Sequence, residues 1–425
     1  MKSGFYTIMA AQFFSSLADN ALLIAAIALL NELQEPSWMT PSLKMSFVVS
    51  YVLLAPLVGA FADSMPKGNV MLITNGIKVG GCALMLFSLH PLAAYAVVGF
   101  GAAAYSPAKY GILTELLPPE QLVIANGWIE GTTVGSIILG VLMGGALINA
   151  KVSTVLLGYD LPQIDTGIDT PPAAAIAVIM FFYVVAALFN WFIPDTGVDH
   201  RMVNRNPLAL IREFLHCSSL LWRDRLGQIS LATTTLFWGA GATLQFMVID
   251  WAGKALGLTL SEASMLQGVV AAGIALGAVV AAKMITLRDS VKVLPVGIAM
   301  GLIVMVMIFV KTMAVAVVLM VAVGVCAGFF VVPMNALLQH RGHVLMGAGH
   351  SIAVQNFNEN IGILMMVGLY TLMVRQGFSV YHAIVMFGIF VSGTMALVML
   401  RHRMNQAQGD SLHLIGAEKP GGHGH

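Results

Sequence analysis

Charge is the scarcest commodity in this chain. Only 10% of its 425 residues are Asp, Glu, Lys or Arg, against about 25% in soluble domains. That deficit excludes a soluble globular fold. Net charge is +1, so there is no basic footprint for nucleic acid. The three cysteines, Cys82, Cys217 and Cys326, are too far apart to suggest a metal or disulfide framework. No Gly-x-x-x-x-Gly-Lys-Ser/Thr loop for nucleotide and no His-Glu-x-x-His for zinc occurs, and no cofactor is expected. Met1 to Thr7 has neither the basic start nor the cleavage site of a secretory signal, so the first apolar segment is expected to persist.

Apolar runs supply what remains. The hydrophobic share is 58% and the mean hydropathy +0.86. Runs of about 20 apolar residues each span a bilayer as a helix. Twelve are expected, over 5–31, 43–63, 69–89, 92–117, 121–149, 172–194, 227–252, 260–283, 291–311, 313–339, 345–374 and 379–401. The fold class is therefore an all-α integral membrane protein. The expected organisation is a six-helix bundle over 1–194, a central loop over 195–226, a second six-helix bundle over 227–402 and a polar tail over 403–425.

Lys and Arg set the orientation. With a cytoplasmic N-terminus, fourteen of them, including five arginines of the central loop, fall on the inner side and five on the outer, Lys44 among the latter. Both termini are thus expected inside. Within the central loop, Ile211, Phe214, Leu215 and Ser218 repeat at helical spacing beside Arg212 and Arg225. An amphipathic helix on the membrane surface and a solvated linker are equal alternatives there.

The halves echo each other. Gly101 and Pro107 precede the pair Asn126 and Glu130, while Gly328 and Pro333 precede Gln355 and Glu359. Parallel six-helix repeats of this kind place a substrate cavity at the repeat interface.

Polar groups inside apolar spans are costly and mark function. The richest stretch is Gly101-Ala-Ala-Ala-Tyr-Ser-Pro-Ala-Lys-Tyr-Gly111, continued by Asn126-Gly127-Trp128-Ile129-Glu130. Gln12, Ser15 and Asp19 share one face of the first span, with Asn20 adjacent. Asp19 is read either as a head-group or gating carboxylate or as the structural partner of Lys78 or Lys109. Lys109, beside Tyr105 and two residues after Pro107, suits a phosphate as a point charge; snorkelling is the alternative. Lys78 lies nearer a membrane edge, where snorkelling weighs as much as pairing. Gln355 with Glu359, and Asn356 with Asn360, sit one turn apart, as helix glue or as ligand-binding amides. Phe237-Trp-Gly-Ala-Gly241 marks close packing or a flexible point.

Gly59, Asp63 and Lys67, in Gly-Ala-Phe-Ala-Asp-Ser-Met-Pro-Lys, resemble the cytoplasmic gate signature of the major facilitator superfamily, with Pro66 in place of a usual glycine. Longer blocks resemble the bacterial lysophospholipid transporters within it. These are Ala18-Asp-Asn-Ala-Leu-Leu23, Ala104-Tyr-Ser-Pro-Ala-Lys-Tyr-Gly111, Leu236-Phe-Trp-Gly-Ala-Gly241, Phe329-Phe-Val-Val-Pro333-x-Asn335-Ala-Leu-Leu-Gln339 and Ala353-Val-Gln-Asn356-x-x-Glu359-Asn360. The resemblance implies a major facilitator fold of twelve helices in two repeats, located in the inner membrane. It also implies flipping of lysophosphatidylethanolamine and lysophosphatidylglycerol from outer to inner leaflet, with an acyltransferase/acyl-carrier-protein synthetase as functional partner. Asp19, Lys109, Glu130 and Glu359 are then the charged residues of path and gates. One departure stands out: Gln245 occupies a position where the resemblance implies arginine. The alternatives are a proton-coupled facilitator exporting an amphipathic solute or drug, and a membrane acyltransferase with a His/Asp pair. The second is disfavoured because His90, His340, His343 and His382 sit at span ends.

Overall fold

The computed structural model describes residues 3–116, 119–158, 168–197, 206–346 and 348–409; the side chains at 3, 59, 60, 63, 114, 119–127, 130, 134, 348 and 349 lie outside that description. Among the described residues every regular element is a helix and none is a strand. A bilayer leaves the backbone little choice, because only a helix satisfies each N–H and C=O within one segment.

The chain begins with α1 (Ser3–Glu32), α2 (Met39–Asp63), α3 (Lys67–Leu86), α4 (Pro91–Leu116) and α5 (Pro119–Leu147). A short α6 (Ala150–Leu157) and then α7 (Pro171–Trp191) and α8 (Pro207–Arg223) follow. The remainder is α9 (Gly227–Leu256), α10 (Leu260–Met284), α11 (Leu294–Met305) flanked by 3-10 turns, α12 (Met313–Met346), α13 (Ala348–Arg375) and α14 (Val380–Ala407). Twelve of these overlie the twelve expected spans; α6 and α8 are additional. Among the described residues nine stretches are long and apolar enough to cross a membrane by length and composition, and the bent α5–α6 pair makes up to ten. The polar-rich α4 and the threonine- and glycine-rich α9 stay below that threshold on their own.

The ends follow local chemistry. Thr170 accepts from the Ala173 amide ahead of two prolines that open α7, a favoured helix start. Ser379 caps α14 the same way through the His382 amide. Three boundaries differ from expectation. α2 begins at Met39, four residues before the expected start, which places Lys44 more than a turn inside the helix. α14 runs through Ala407, so the tail starts after it rather than at 403. The central segment carries the 17-residue α8, which decides between helix and plain linker in favour of the helix.

Packing divides the chain into two compact units. The first comprises Met1–Leu210, Val248–Gly268 and Val367–Gly377; the second comprises Ile211–Met247, Val269–Met366 and Phe378–His425. In the first, α4 packs on α2 and α3, and α1 packs on α5 and α7. Its apolar core joins Phe5, Ile8, Val70, Met71, Ala108, Ile112 and Ile129. A methyl on Gly140 would meet the Leu17 carbonyl oxygen at 2.5 Å, and one on Gly144 the Ala21 carbonyl oxygen at 2.8 Å. Small residues four apart let two membrane helices touch backbone to backbone. In the second unit Gly273 and Gly277 of α10 meet Gly324 and Gly328 of α12 in the same manner. There, too, Gly239 of α9 lies against Gly362 of α13, so the Phe237–Gly241 stretch is a close-packing site.

Candidate functional site

The first unit buries a polar cluster that its own helices assemble. Asp19, in the middle of α1, accepts at Oδ2 from Lys78 Nζ at 2.8 Å and at Oδ1 from the Tyr183 hydroxyl at 2.7 Å. Lys78, on α3, has 1% of its side chain exposed, Asp19 19%. Lys78 also donates to Ser15 Oγ at 3.0 Å. Its ammonium lies 5.1 Å from the ring centre of Tyr105 and 5.5 Å from that of Tyr183, where aromatic faces stabilise a cation. Ser15 donates in turn to Asn75 Oδ1 at 2.8 Å. The snorkelling alternative for Lys78 is therefore overturned. Its helix enters the bundle with Thr74, Asn75 and Lys78 all buried, and the carboxylate one helix away supplies the countercharge.

This pair forms one wall of a cavity of about 200 Å³. Gln12, Ser15, Asp19 and Asn20 of α1 line it, with Lys44 and Tyr51 of α2, Tyr95, Tyr105 and Lys109 of α4, and Thr133 of α5. The shared face expected for Gln12, Ser15 and Asp19 is thus the cavity wall, where Gln12 Nε2 donates to Thr133 Oγ1 at 3.0 Å. Among the described residues three lysines and one aspartate contribute, so the formal charge of that part of the lining is positive. Lys109 is buried and sits 4.4 Å over the ring of Tyr110. The Tyr105 hydroxyl is buried and has no hydrogen-bond partner among the described residues. Asn20 turns its amide onto the Ser16 carbonyl at 2.8 Å.

Asn126 and Glu130 lie in α5, Gly59 and Asp63 in the last turns of α2, all outside the described side chains. Lys67 is buried, donating to the Ala62 carbonyl at 2.9 Å and lying 3.5 Å from Glu115. In the second unit Gln355 Nε2 donates to Glu359 Oε1 at 2.8 Å and to Asn335 Oδ1 at 3.4 Å. Asn360 donates to the Asn356 carbonyl, a turn back along the same helix. Gln245, on α9, is half-buried. Lys44, Asn75, Tyr51, Tyr95 and Tyr183 are cluster members that sequence reasoning did not single out. Tyrosine in a span gives no signal of its own, and Lys44, at the edge of the expected second span, was counted only among the outer-side charges.

Comparison with known proteins points in one direction. The family model described as "Major Facilitator Superfamily" matches residues 8–366. A protein of Yersinia enterocolitica named "Lysophospholipid transporter LplT" is 41% identical over 378 residues, covering 89% of each chain. One of the same name from Yersinia pestis is 42% identical over 371 residues, covering 87% of this chain and 86% of the relative. Among solved structures, a bacterial homologue of the human lysosomal transporter Spinster, inward-facing and unoccupied, aligns with a TM-score of 0.66 at 16% identity. It covers 97% of this chain and 99% of its own. The nucleoside transporter NupG aligns with a TM-score of 0.67 at 13% identity, over 95% of this chain and all of its own. These two show the fold alone.

Proposed function

The chain belongs to the lysophospholipid transporter family of the major facilitator superfamily, and on that premise we propose that it flips lysophospholipids across a bacterial inner membrane. Lysophosphatidylethanolamine and lysophosphatidylglycerol pass from the outer to the inner leaflet, where an acyltransferase/acyl-carrier-protein synthetase restores the missing chain. Both termini are cytoplasmic. The names of the relatives favour this reading over export of an amphipathic solute.

One observation carries the proposal: a polar cavity of about 200 Å³ built around Asp19 and Lys78, to which the described residues contribute three lysines and one aspartate. Roughly seven waters would occupy that volume at about 30 Å³ each. That is the scale of a phosphate with its ethanolamine or glycerol. The acyl chain remains in lipid, which costs nothing because lipid is as apolar as the chain. Lys109 and Lys44 meet the phosphate as mobile point charges. Asp19 exchanges Lys78 for the ethanolamine ammonium while Lys78 takes up a phosphate oxygen, so charge is not left unpaired in low dielectric; with the glycerol head group Asp19 keeps Lys78. The unspent Tyr105 hydroxyl takes a phosphate or glycerol oxygen. Asn126 and Glu130 continue the path by spacing, sharing a helix stripe with Thr133. Gln245, Gln355, Asn356, Glu359 and Asn360 serve it from the second repeat, and Gly59, Asp63 and Lys67 form the cytoplasmic gate.

The test is uptake of labelled lysophosphatidylethanolamine by spheroplasts expressing the chain, with and without a protonophore. Uptake that survives the protonophore supports a flippase independent of the proton gradient. No uptake despite good membrane expression overturns the proposal.

A further inference from the structure

Helix α8 carries three distinct stripes. Phe214, Cys217 and Leu221 are buried. Leu208, Ile211, Leu215 and Trp222 are exposed, Leu208 to 75% and Leu215 to 57%. Arg212, His216 and Arg223 are exposed as well. At 100° per residue the apolar and basic stripes each lie roughly 120° or more from the buried one and about 80° from each other. The face turned away from the protein is therefore half apolar and half basic. The sole acid of the helix, Glu213, falls outside both exposed stripes, with a carboxylate oxygen 3.3 Å from His350 Nε2.

The second unit holds this helix firmly. Phe214 meets Phe357 edge to face at 5.0 Å, and Trp222 Nε1 donates to Asn358 Oδ1 at 3.1 Å. One residue past the helix, Asp224 receives a two-pronged bond from Arg341 at 3.0 and 2.7 Å. Rotation that would bury the apolar stripe against protein breaks all three contacts. At 17 residues with three exposed basic groups, α8 does not span a membrane, yet α9, a membrane helix, starts four residues later at Gly227. Exposed leucines beside arginines, at the level where a span emerges, match the chemistry of an anionic bilayer surface: acyl boundary for the apolar stripe, phosphate for the basic one.

We propose that α8 is an interfacial helix that docks on the anionic leaflet, with Leu208, Ile211, Leu215 and Trp222 in the acyl boundary and Arg212 and Arg223 on lipid phosphates. The docking is independent of which substrate the cavity takes. It ties the segment between the two repeats to the lipid surface and makes that segment sensitive to the anionic lipid content of the membrane.

The full-length chain is reconstituted into vesicles of phosphatidylcholine alone or mixed with phosphatidylglycerol, each with brominated chains. Trp222 fluorescence is isolated as the difference between the parent and Trp222→Phe. Bromine quenching of that difference should rise several-fold with phosphatidylglycerol. The Arg212→Gln/Arg223→Gln variant should lose most of the rise, at about fivefold per arginine. Bimane on Leu215→Cys, read against the parent labelled in parallel, reports the same transfer without altering Trp222. Trp222 and bimane both as open to aqueous acrylamide in the phosphatidylglycerol vesicles as in phosphatidylcholine alone would overturn the proposal. So would protection that appears only when a soluble protein is added, since the face would then be a protein interface.

Discussion

Two buried ion pairs, one in each unit, look alike by distance and differ in every other respect. Asp224 and Arg341 meet at 2.7 Å with 10% and 5% of their side chains exposed. Both carboxylate oxygens of Asp224 receive the guanidinium, and Oδ1 also takes the Gly227 amide at 2.7 Å. The planar fork fixes direction as well as charge, and the pair closes the corner between α8, α9 and α12. Asp19 and Lys78 meet at 2.8 Å, but the contact is a single bond from a point charge, flanked by a tyrosine hydroxyl and two ring faces, at the wall of a cavity. One pair is saturated and locked; the other can change partner. A substrate that brings its own phosphate and ammonium needs the second kind.

Variants separate the two. The largest effect is expected from Arg341→Ala, which leaves Asp224 buried without its fork and costs about 3–5 kcal/mol. It should appear as a lower unfolding temperature and poor monodispersity in detergent, with transport per folded molecule close to the parent. Asp19→Asn should do the opposite. Lysolipid uptake should fall by on the order of 100-fold, about 2.7 kcal/mol of barrier, while expression holds, because the site is cavity-lined. If adding Lys78→Met to Asp19→Asn restores uptake, Asp19 serves only to neutralise Lys78 and the exchange mechanism fails. Lys109→Gln comes next. Losing one charge-assisted bond to phosphate should raise the half-saturating lysophosphatidylglycerol concentration roughly tenfold, measured in proteoliposomes. Smallest is Tyr183→Phe, which removes one hydrogen bond to Asp19. Uptake should drop by about fivefold, as expected for roughly 1 kcal/mol, and a hundredfold loss there would mean that Tyr183 touches substrate.

The contrast also explains what a one-dimensional reading reached. The twelve spans were legible because lipid forces apolar runs into helices, and Thr170-Pro171-Pro172 and Ser379 mark starts by their own chemistry. Asp19 was legible as a charge in mid-span. Its partner was not, since Lys78 and Lys109 were both candidates and only the packing of α1 on α4 and α7, with α3 beside α7, brings Lys78 to it. Tyr183 lies 164 residues from Asp19, and no spacing rule links them. Asp224 and Arg341 gave no signal in the sequence, since each sits near a helix end and 117 residues separate them. α8 was half legible: Ile211, Phe214, Leu215 and Ser218 gave the period, but Phe214 turned out to face protein while Ile211 and Leu215 face outward. Gln245, where the resemblance implies arginine, lies on α9 in the second unit, and nothing in the structure explains the substitution.

The central claim is that the Asp19–Lys78 cavity receives the lysolipid head group. Its most direct measurement is uptake of labelled lysophosphatidylethanolamine into proteoliposomes by the parent and by Asp19→Asn side by side, with the unfolding temperature of each preparation recorded. Uptake lost in the variant while the preparation stays folded, with an unfolding temperature well above that of Arg341→Ala, is the predicted result. Equal uptake by both chains would contradict it and move the head-group site out of this cavity.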